Sequence, residues 1–284
     1  PRYVGLTLLT TNDLHANLQP YRVTNGSPDV SPSPDNVGGA ARRATIIRQF
    51  RLRSPGHVFL LDSGDTTFGV TPTARAFRGA ADVDMMNTIG YDAMAPGNHE
   101  FEWRSEDTLR NLKSSRFPWV CANLVEKESG KLFLPPYVVR EVDGVRVAFF
   151  GLITPLVNKP KYKAAEHLGL TALDPVETAA KLVPELRQKA DIVILLSHLG
   201  RVSDVELAKA VPGIDAILGG HSHTRLPKPI LVPVGEPSAF SIACVPVVQA
   251  GRWGEDMGRT SLVFRRDPTT GRYALMSCSG ELLI

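Results

Sequence analysis

Five apolar segments of strand length each run straight into a short polar turn carrying Asp, Asn or His, and this layout constrains the chain more than any other feature. Val4 to Thr11 ends in Asn12-Asp13-Leu14-His15, and Val58 to Leu61 ends in Asp62-Ser63-Gly64-Asp65. Ala93 to Ala95 leads into Gly97-Asn98-His99-Glu100, and Ile192 to Leu196 runs into Ser197-His198. Ala216 to Leu218 runs into Gly219-Gly220-His221-Ser222-His223. Amphipathic stretches of helical period lie between them, so the alternation reads as α/β. In open α/β sheets the loops at the carboxyl ends of strands converge on one crevice. Five such ends therefore predict one shared site. Gly64, Gly97, Gly219 and Gly220 are expected to let the backbone turn sharply enough to aim the side chains.

Asp13, His15, Asp65, Asn98, His198, His221 and His223 are then seven donors for one crevice, too many for a single tetrahedral ion. They suit two divalent ions about 3.5–4 Å apart that share a bridging carboxylate. The imidazole, carboxylate and amide mixture accepts Mn, Fe, Co or Zn, and residue type does not choose among them. None of the three cysteines (Cys121, Cys244, Cys278) lies in these clusters or in a C-x-x-C pair, and at most one disulfide can form. Taken singly, each residue has a plainer reading: a capped strand-end histidine, Asp62 and Asp65 as turn formers, Asn98 in an Asx-turn. It is their joint occurrence at strand ends that favours the metal reading.

Elsewhere the pattern predicts a helix from Gly38-Gly39 through about Arg53, with Ala40, Ala44 and Ile47 on one face. A second is expected over roughly 73–89, with Phe77, Ala81 and Met85 at fourfold spacing, and a third over about 176–189. Asp143-Gly144 joins Tyr137–Glu141 to Val145–Leu152 as a hairpin. Residues 21–37 form a Pro/Ser-rich stretch expected to be an exposed, mobile loop, and the C-terminal third from about 245 reads as strand-rich, with a turn at Asp267–Gly271. No repeat or linker divides residues 1–284, so one domain is expected. The 284 residues are 43% hydrophobic, enough for a large core and against wholesale disorder. No run approaches the about 18 apolar residues of a membrane span. With 32 Lys+Arg against 29 Asp+Glu the net charge is only +3, which argues against specific nucleic-acid binding. Arg48, Arg51 and Arg53 read as a solvated helix face. The sequence says nothing about oligomeric state.

The segments TNDLHANL (11–18), GGAARRAT (38–45), LDSGDTTFG (61–69), MNTIGYDAMAPGNHEF (86–101), SHLGR (197–201), GGHSHT (219–224) and VVQAGRWGEDMGR (247–259) resemble the calcineurin-like metallophosphoesterases, and within them the 5′-nucleotidase branch. The resemblance implies a four-layer αββα sandwich with two central sheets and a two-metal centre at one edge. Asp13, His15, Asp65 and His223 would hold one ion, and Asp65, Asn98, His198 and His221 the other. His99 would be the catalytic histidine, stabilising phosphoryl oxygens and assisting the leaving group. In the nucleotidases an Asp three residues on steers that histidine; here the chain reads GNHEFEW, so Glu102 takes its place and the bulky Trp103 follows. The nucleotidases also carry a further C-terminal domain whose aromatic residues stack the base, and no stacking pair is expected beside a motif here.

The implied chemistry is hydrolysis of phosphate esters by a metal-activated water attacking in line, without a phosphoenzyme. Ser63 is expected to shape its turn rather than attack. Asn123, Arg201 and Arg252 are weaker substrate-contact candidates, and Trp253 is either pocket wall or core. Substrates are expected among small phosphate esters, with 5′-nucleotides and other phosphomonoesters leading and a phosphodiesterase as the alternative. A non-catalytic metal-dependent binding module is the rival from another class, and the presence of His99 speaks against it. The resemblance also implies a periplasmic or secreted location, which a start at Pro1 without Met would fit.

Overall fold

The computed structural model describes residues 2–21, 37–54 and 56–283. The first half of the chain comprises β1 (Tyr3–Thr11), α1 (Ala40–Arg53), β2 (Val58–Asp62), α2 (Pro72–Phe77), α3 (Ala80–Ile89), β3 (Ala93–Met94), α4 (Ser105–Ser114), β4 (Leu124–Glu126), β5 (Tyr137–Val142) and β6 (Val145–Ile153). There follow α5 (Lys163–His167), β7 (Leu170–Ala172), α6 (Pro175–Lys189), β8 (Ile192–His198), α7 (Arg201–Ala210), β9 (Ala216–Gly219), β10 (Ile230–Pro233), β11 (Cys244–Val248), β12 (Met257–Arg266) and β13 (Tyr273–Leu283).

Two sheets, ordered β13-β12-β1-β2-β3 and β10-β11-β9-β8-β6-β5, form the centre, with β4 and β7 as a separate ribbon. Side chains alternate across each strand, and both faces of the inner strands are covered, which explains their unbroken apolar runs. Leu8 of β1, Leu61 of β2 and Ile194 and Leu196 of β8 meet between the sheets, together with Phe59 and Phe149. The alternate residues Leu9 and Leu60 face outward onto Ile47 of α1 and Val83 and Met86 of α3. On the far side Val193 and Leu195 pack against Val183 and Leu186 of α6 and Leu207 of α7. Helix, sheet, sheet and helix give the four-layer αββα sandwich.

Register brings the site to one edge. Thr11 pairs with Asp62 and Asp62 with Met94 in parallel, while Ser197 pairs with Gly219 in the other sheet. The carboxyl ends of these strands are therefore level. The Asp143-Gly144 hairpin forms as the sequence implies, with φ of 52° and 76°; two successive left-handed residues match a type I′ turn.

Three local expectations change. The helix expected over 73–89 is two helices, α2 and α3, broken at Arg78 (φ 47°) and Gly79 (φ 88°). Gly79 lies against Thr67 and the Asn111 carboxamide, where a Cβ would collide, and the reversal leaves Phe77 exposed while Asp82, Val83 and Met86 are buried. Arg51 is not purely solvated: it donates to Ile89 O (2.7 Å) and Gly90 O (2.5 Å), capping the end of α3. The 21–37 stretch falls outside the described residues, apart from Tyr21 and Val37, whose mutual backbone bonds close its base.

The buried face of α1 carries Arg43 beside Ile47, and Arg43 is only 3% exposed; Asp82 on α3 is 1% exposed. No guanidinium nitrogen of Arg43 and neither carboxylate oxygen of Asp82 has a hydrogen-bond partner among the described residues. Burial pushes the Asp82 carboxyl up to about 8, with Arg43 opposing. The folded state therefore keeps a proton that the unfolded chain releases near the ordinary value of 3.8. This group's contribution to stability falls as pH rises from about 4 to about 8, by up to about 1.4 kcal/mol per pH unit. Replacing Asp82 by Asn should flatten that slope, measured as the pH dependence of thermal unfolding.

Candidate metal centre

Glu100, buried behind the strand ends, fixes two of the site's turns at once. Its Oε2 accepts from Asp65 N (2.8 Å) and Gly97 N (2.7 Å), and its Oε1 from Thr66 N (2.8 Å), Thr67 N (2.9 Å) and Thr67 Oγ1 (3.1 Å). One carboxylate thus holds the Asp65 turn against the Asn98 turn. The glycines here work mainly by absence of bulk. Among the four singled out in the sequence only Gly64 has positive φ (88°), whereas a Cβ on Gly97 or Gly220 would strike the His198 ring and neighbouring backbone.

Two groups of ligand-type side chains result. Asp13, His15 and His223 form one, and Asp65, His198 and His221 the other, with ligand atoms within 4.8 Å of one another in each. His15 Nε2 and His223 Nε2 lie 3.2 Å apart, and His223 Nε2 is 3.2 Å from Asp13 Oδ1. Two imidazole lone pairs facing each other so closely repel unless a proton or a cation lies between them. In the second group His198 Nε2 is 2.9 Å from Asp65 Oδ2. The outer ring nitrogens are tied down, His15 Nδ1 to Phe68 O (3.1 Å) and His198 Nδ1 to Ser63 O (2.6 Å). Such carbonyl contacts set the tautomer and point Nε2 at the site.

Asn98 Nδ2 donates to the Tyr162 hydroxyl (2.8 Å), which leaves Asn98 Oδ1 buried with no partner among the described residues. A buried, unpaired acceptor beside carboxylates and imidazoles is the arrangement a cation satisfies. Asp13, His15, Asp65, His221 and His223 also have φ between 47° and 73°, a left-handed conformation uncommon outside glycine that clusters at functional sites. Burial lowers His15, and His221 to about 4, so both offer free lone pairs at neutral pH. Burial also disfavours charge on His198, but Asp65 overrides this and pushes it up to about 10, while burial of Asp65 is in turn overridden by His198, which holds that carboxyl below its usual range. The buried carboxylate calls for positive charge, and the residues fit a divalent metal.

His99 stands beside this group: its N–H donates to Asp65 Oδ1 (2.8 Å) and its Nε2 is 3.9 Å from Asp65 Oδ2. On the other side Glu102 Oε2 is 3.0 Å from His99 Nδ1, and Glu102 Oε1 lies 3.6 Å from Lys161 Nζ. Burial lowers the His99 imidazole, but the Glu102 hydrogen bond and Asp65 outweigh it and the net shift is upward. Phe68 stacks on the His99 ring at 5.5 Å and 25°. Trp103 lies 4.6 Å from Phe68, its Nε1 donating to Thr67 O (2.8 Å). An aromatic pair therefore does adjoin the site; it escaped the sequence reading because Phe68 and Trp103 come from different turns.

The remaining candidates separate. Asn123 is fully buried and its carboxamide is consumed, Nδ2 donating to Ile153 O and Leu173 O and Oδ1 accepting from Ile153 N, so it braces the chain and has no group left for a substrate. Arg201 is exposed at the start of α7, its backbone N–H donating to Ser222 Oγ (3.0 Å). Arg252 lies 4.2 Å over the Trp253 ring. Ser63 Oγ donates to Leu218 O (2.7 Å), the turn-shaping role expected of it. The sequence reading passed over Asn12 and Gln249. Asn12 Nδ2 donates to Asp13 Oδ2 (2.6 Å) and Gly251 O (2.8 Å), and Gln249 Nε2 donates to Gly220 O (2.6 Å) while its Oε1 accepts from Ser222 Oγ (2.9 Å).

This geometry has relatives. Residues 6–225 match the calcineurin-like phosphoesterase family. The chain belongs to that family. It is 32% identical over 287 residues to a 5′-nucleotidase of Vibrio cholerae serotype O1, covering 92% of this chain and 49% of that one. It is 28% identical over 308 residues to the 2′,3′-cyclic-nucleotide 2′-phosphodiesterase/3′-nucleotidase of Salmonella typhimurium, covering 98% and 46%. The crystal structure of a 5′-nucleotidase precursor from Thermus thermophilus superposes with a TM-score of 0.82 at 34% identity, covering 99% of this chain and 54% of that chain. The chain thus spans about half the length of these relatives. No helix among the described residues is long and apolar enough to cross a membrane.

Replacing Glu100 by Gln turns one acceptor oxygen into an N–H donor facing backbone N–H groups. Unmet buried donors cost about 1–3 kcal/mol each, so Glu100→Gln should lower the Tm by about 5 °C or more and weaken metal uptake. Calorimetry with and without added Mn²⁺ measures both.

Proposed function

We propose that the chain hydrolyses phosphate esters at a dinuclear metal centre, with phosphomonoesters, 5′-nucleotides among them, as substrates. The observation that carries this reading is the meeting of the two ligand groups with His99, whose backbone N–H is bonded to Asp65 and whose ring is bonded to Glu102 with Nε2 3.9 Å from Asp65 Oδ2. Asp13, His15 and His223 would hold one ion, and Asp65, Asn98, His198 and His221 the other, Asp65 serving both. When bound, the metals neutralise phosphoryl oxygens and make a water acidic enough to act as nucleophile near pH 7.

The rest of the chemistry belongs to the chain. Water oxygen bonds to phosphorus as the bond from phosphorus to the ester oxygen breaks opposite to it. In the imidazolium that Glu102 favours, His99 Nδ1–H donates to Glu102 while Nε2–H gives its proton to the departing oxygen and meets the charge growing there; the proton lost by the attacking water passes to solvent, from which His99 is reprotonated. Glu102 is the positioning residue: it keeps the imidazole in one orientation and favours its protonated form. Asp65 fixes the backbone beneath the same ring. Nothing in this sequence of events needs a covalent phosphoenzyme, which agrees with Ser63 being committed to Leu218.

A diester reading is kept because the Salmonella relative is named for cyclic-nucleotide phosphodiesterase as well as 3′-nucleotidase activity. A location outside the cytoplasm belongs to the same proposal. The deciding experiment is a paired rate determination on Mn²⁺- and Zn²⁺-loaded protein, using a phosphomonoester and the matching diester of one chromogenic alcohol. A higher kcat/KM for the monoester supports the proposal; a higher value for the diester replaces it with a phosphodiesterase; failure on both with metal bound favours a binding module.

Two variants test the roles. His99→Ala should lose about 10²- to 10⁴-fold in kcat while metal content stays at two equivalents, read by elemental analysis. His198→Ala should drop metal content to about one equivalent, because the group of Asp13, His15 and His223 stays intact.

A further inference from the structure

The wall beside His99 has chemistry that the reaction itself does not use. Phosphoryl transfer at such a centre needs charge and a proton, yet half-buried Phe68 stacks on the ring of the proton donor and half-buried Trp103 packs in turn against Phe68. Each is held in place. The Phe68 carbonyl accepts the outer nitrogen of His15 (3.1 Å), so its backbone cannot move without moving a metal-ligand candidate. Gly69, directly after it, leaves no room for a Cβ against the His15 carbonyl. The Trp103 indole is anchored by its bond to Thr67 O (2.8 Å) and tilted 51° against Phe68. The opposite flank is built differently: buried Tyr162 meets His99 edge-on at 6.0 Å and lends its hydroxyl to Asn98. The Phe68–Trp103 side is thus the apolar, rigid side of the imidazole.

A group bonded to the ester oxygen must pass beside the residue that protonates that oxygen. We propose that Phe68 and Trp103 form a leaving-group subsite, selecting phosphate esters whose leaving group carries a flat unsaturated ring. This rests on the phosphoesterase reading and names the substrate class of the same site. Preset rings offer stacking area at small ordering cost, because an aromatic side chain has only two χ angles to fix. The ring can sit directly on the ester oxygen, as in an aryl phosphate, or further out on a sugar, as in a nucleotide; the chemistry of recognition is the same.

Two substrate pairs isolate the ring from leaving-group reactivity. A purine nucleoside 5′-monophosphate and ribose 5-phosphate share the same primary alkoxide and differ only in the base. Phenyl phosphate and a fluoroalkyl phosphate whose alcohol has a matching pKa differ only in the ring. Metal-loaded wild-type protein should favour the ring-bearing member of at least one pair by about tenfold in kcat/KM, mostly through KM. Preference in the phenyl pair alone puts the ring on the ester oxygen, and preference in the nucleotide pair alone puts it beyond the sugar. Trp103→Leu should bring that ratio toward one, and Trp103→Phe should keep most of it. Should Trp103→Leu fail to fold, competition on wild-type protein replaces it: the free nucleoside or phenol should inhibit ribose 5-phosphate hydrolysis where ribose does not.

Ratios near one in both pairs overturn the subsite, as does an unchanged ratio in Trp103→Leu with its metal retained. Lack of turnover of all four esters by metal-loaded protein is a different result and removes the phosphomonoesterase reading on which the subsite rests.

Discussion

A single buried carboxylate holds the site in shape. Glu100 gathers four backbone N–H groups and one hydroxyl from two turns that belong to different strands. Those turns carry Asp65, Asn98 and His99, and the Glu100 bonds set the spacing among them. Burying a carboxylate is costly unless donors surround it, and here the donors are amides that the tight turns leave without strand partners. The same bonds therefore stabilise the acid and define the loops. Glycines at 97 and 220 extend the arrangement by letting backbone close on the His198 ring where a side chain would block it.

Much of this is legible in the sequence, because the relevant signals are local. Strand-length apolar runs ending in Asp, Asn or His mark the carboxyl edges, and parallel pairing in register then levels them. The hairpin at Asp143-Gly144 is likewise written in two residues. What the sequence hides is pairing between distant turns. Phe68 and Trp103 belong to turns that follow different strands, and nothing in either segment announces the other. Glu100 sits in plain view within the GNHE segment, but its work lies on the far side of a turn at 64–67.

The misread elements have a common cause. The stretch 73–89 keeps a helical apolar period straight through Arg78-Gly79, so periodicity alone joins two helices; the break comes from the close approach of Thr67 and Asn111. Asn123 looks like a strand-end polar residue of the same kind as Asn98. The two differ in what their carboxamides bond: Asn98 Oδ1 has no partner among the described residues, whereas Asn123 spends both ends on the backbone of neighbouring segments. Residue type and position did not separate them, and hydrogen-bond accounting does.

The link between Asn12 and Gly251 spans 239 positions, and the Trp253 N–H closes onto the Asp13 carbonyl at 2.7 Å. The first strand-end turn is therefore completed by nearly the last segment of the sandwich to be made. On the ribosome, Asp13 emerges early but stays without its buttress until residues 249–253 have left the exit tunnel. Completion of the first candidate ligand group is then a late event in synthesis, and a chain interrupted before that segment keeps Asp13, His15 and His223 yet lacks the frame that converges them.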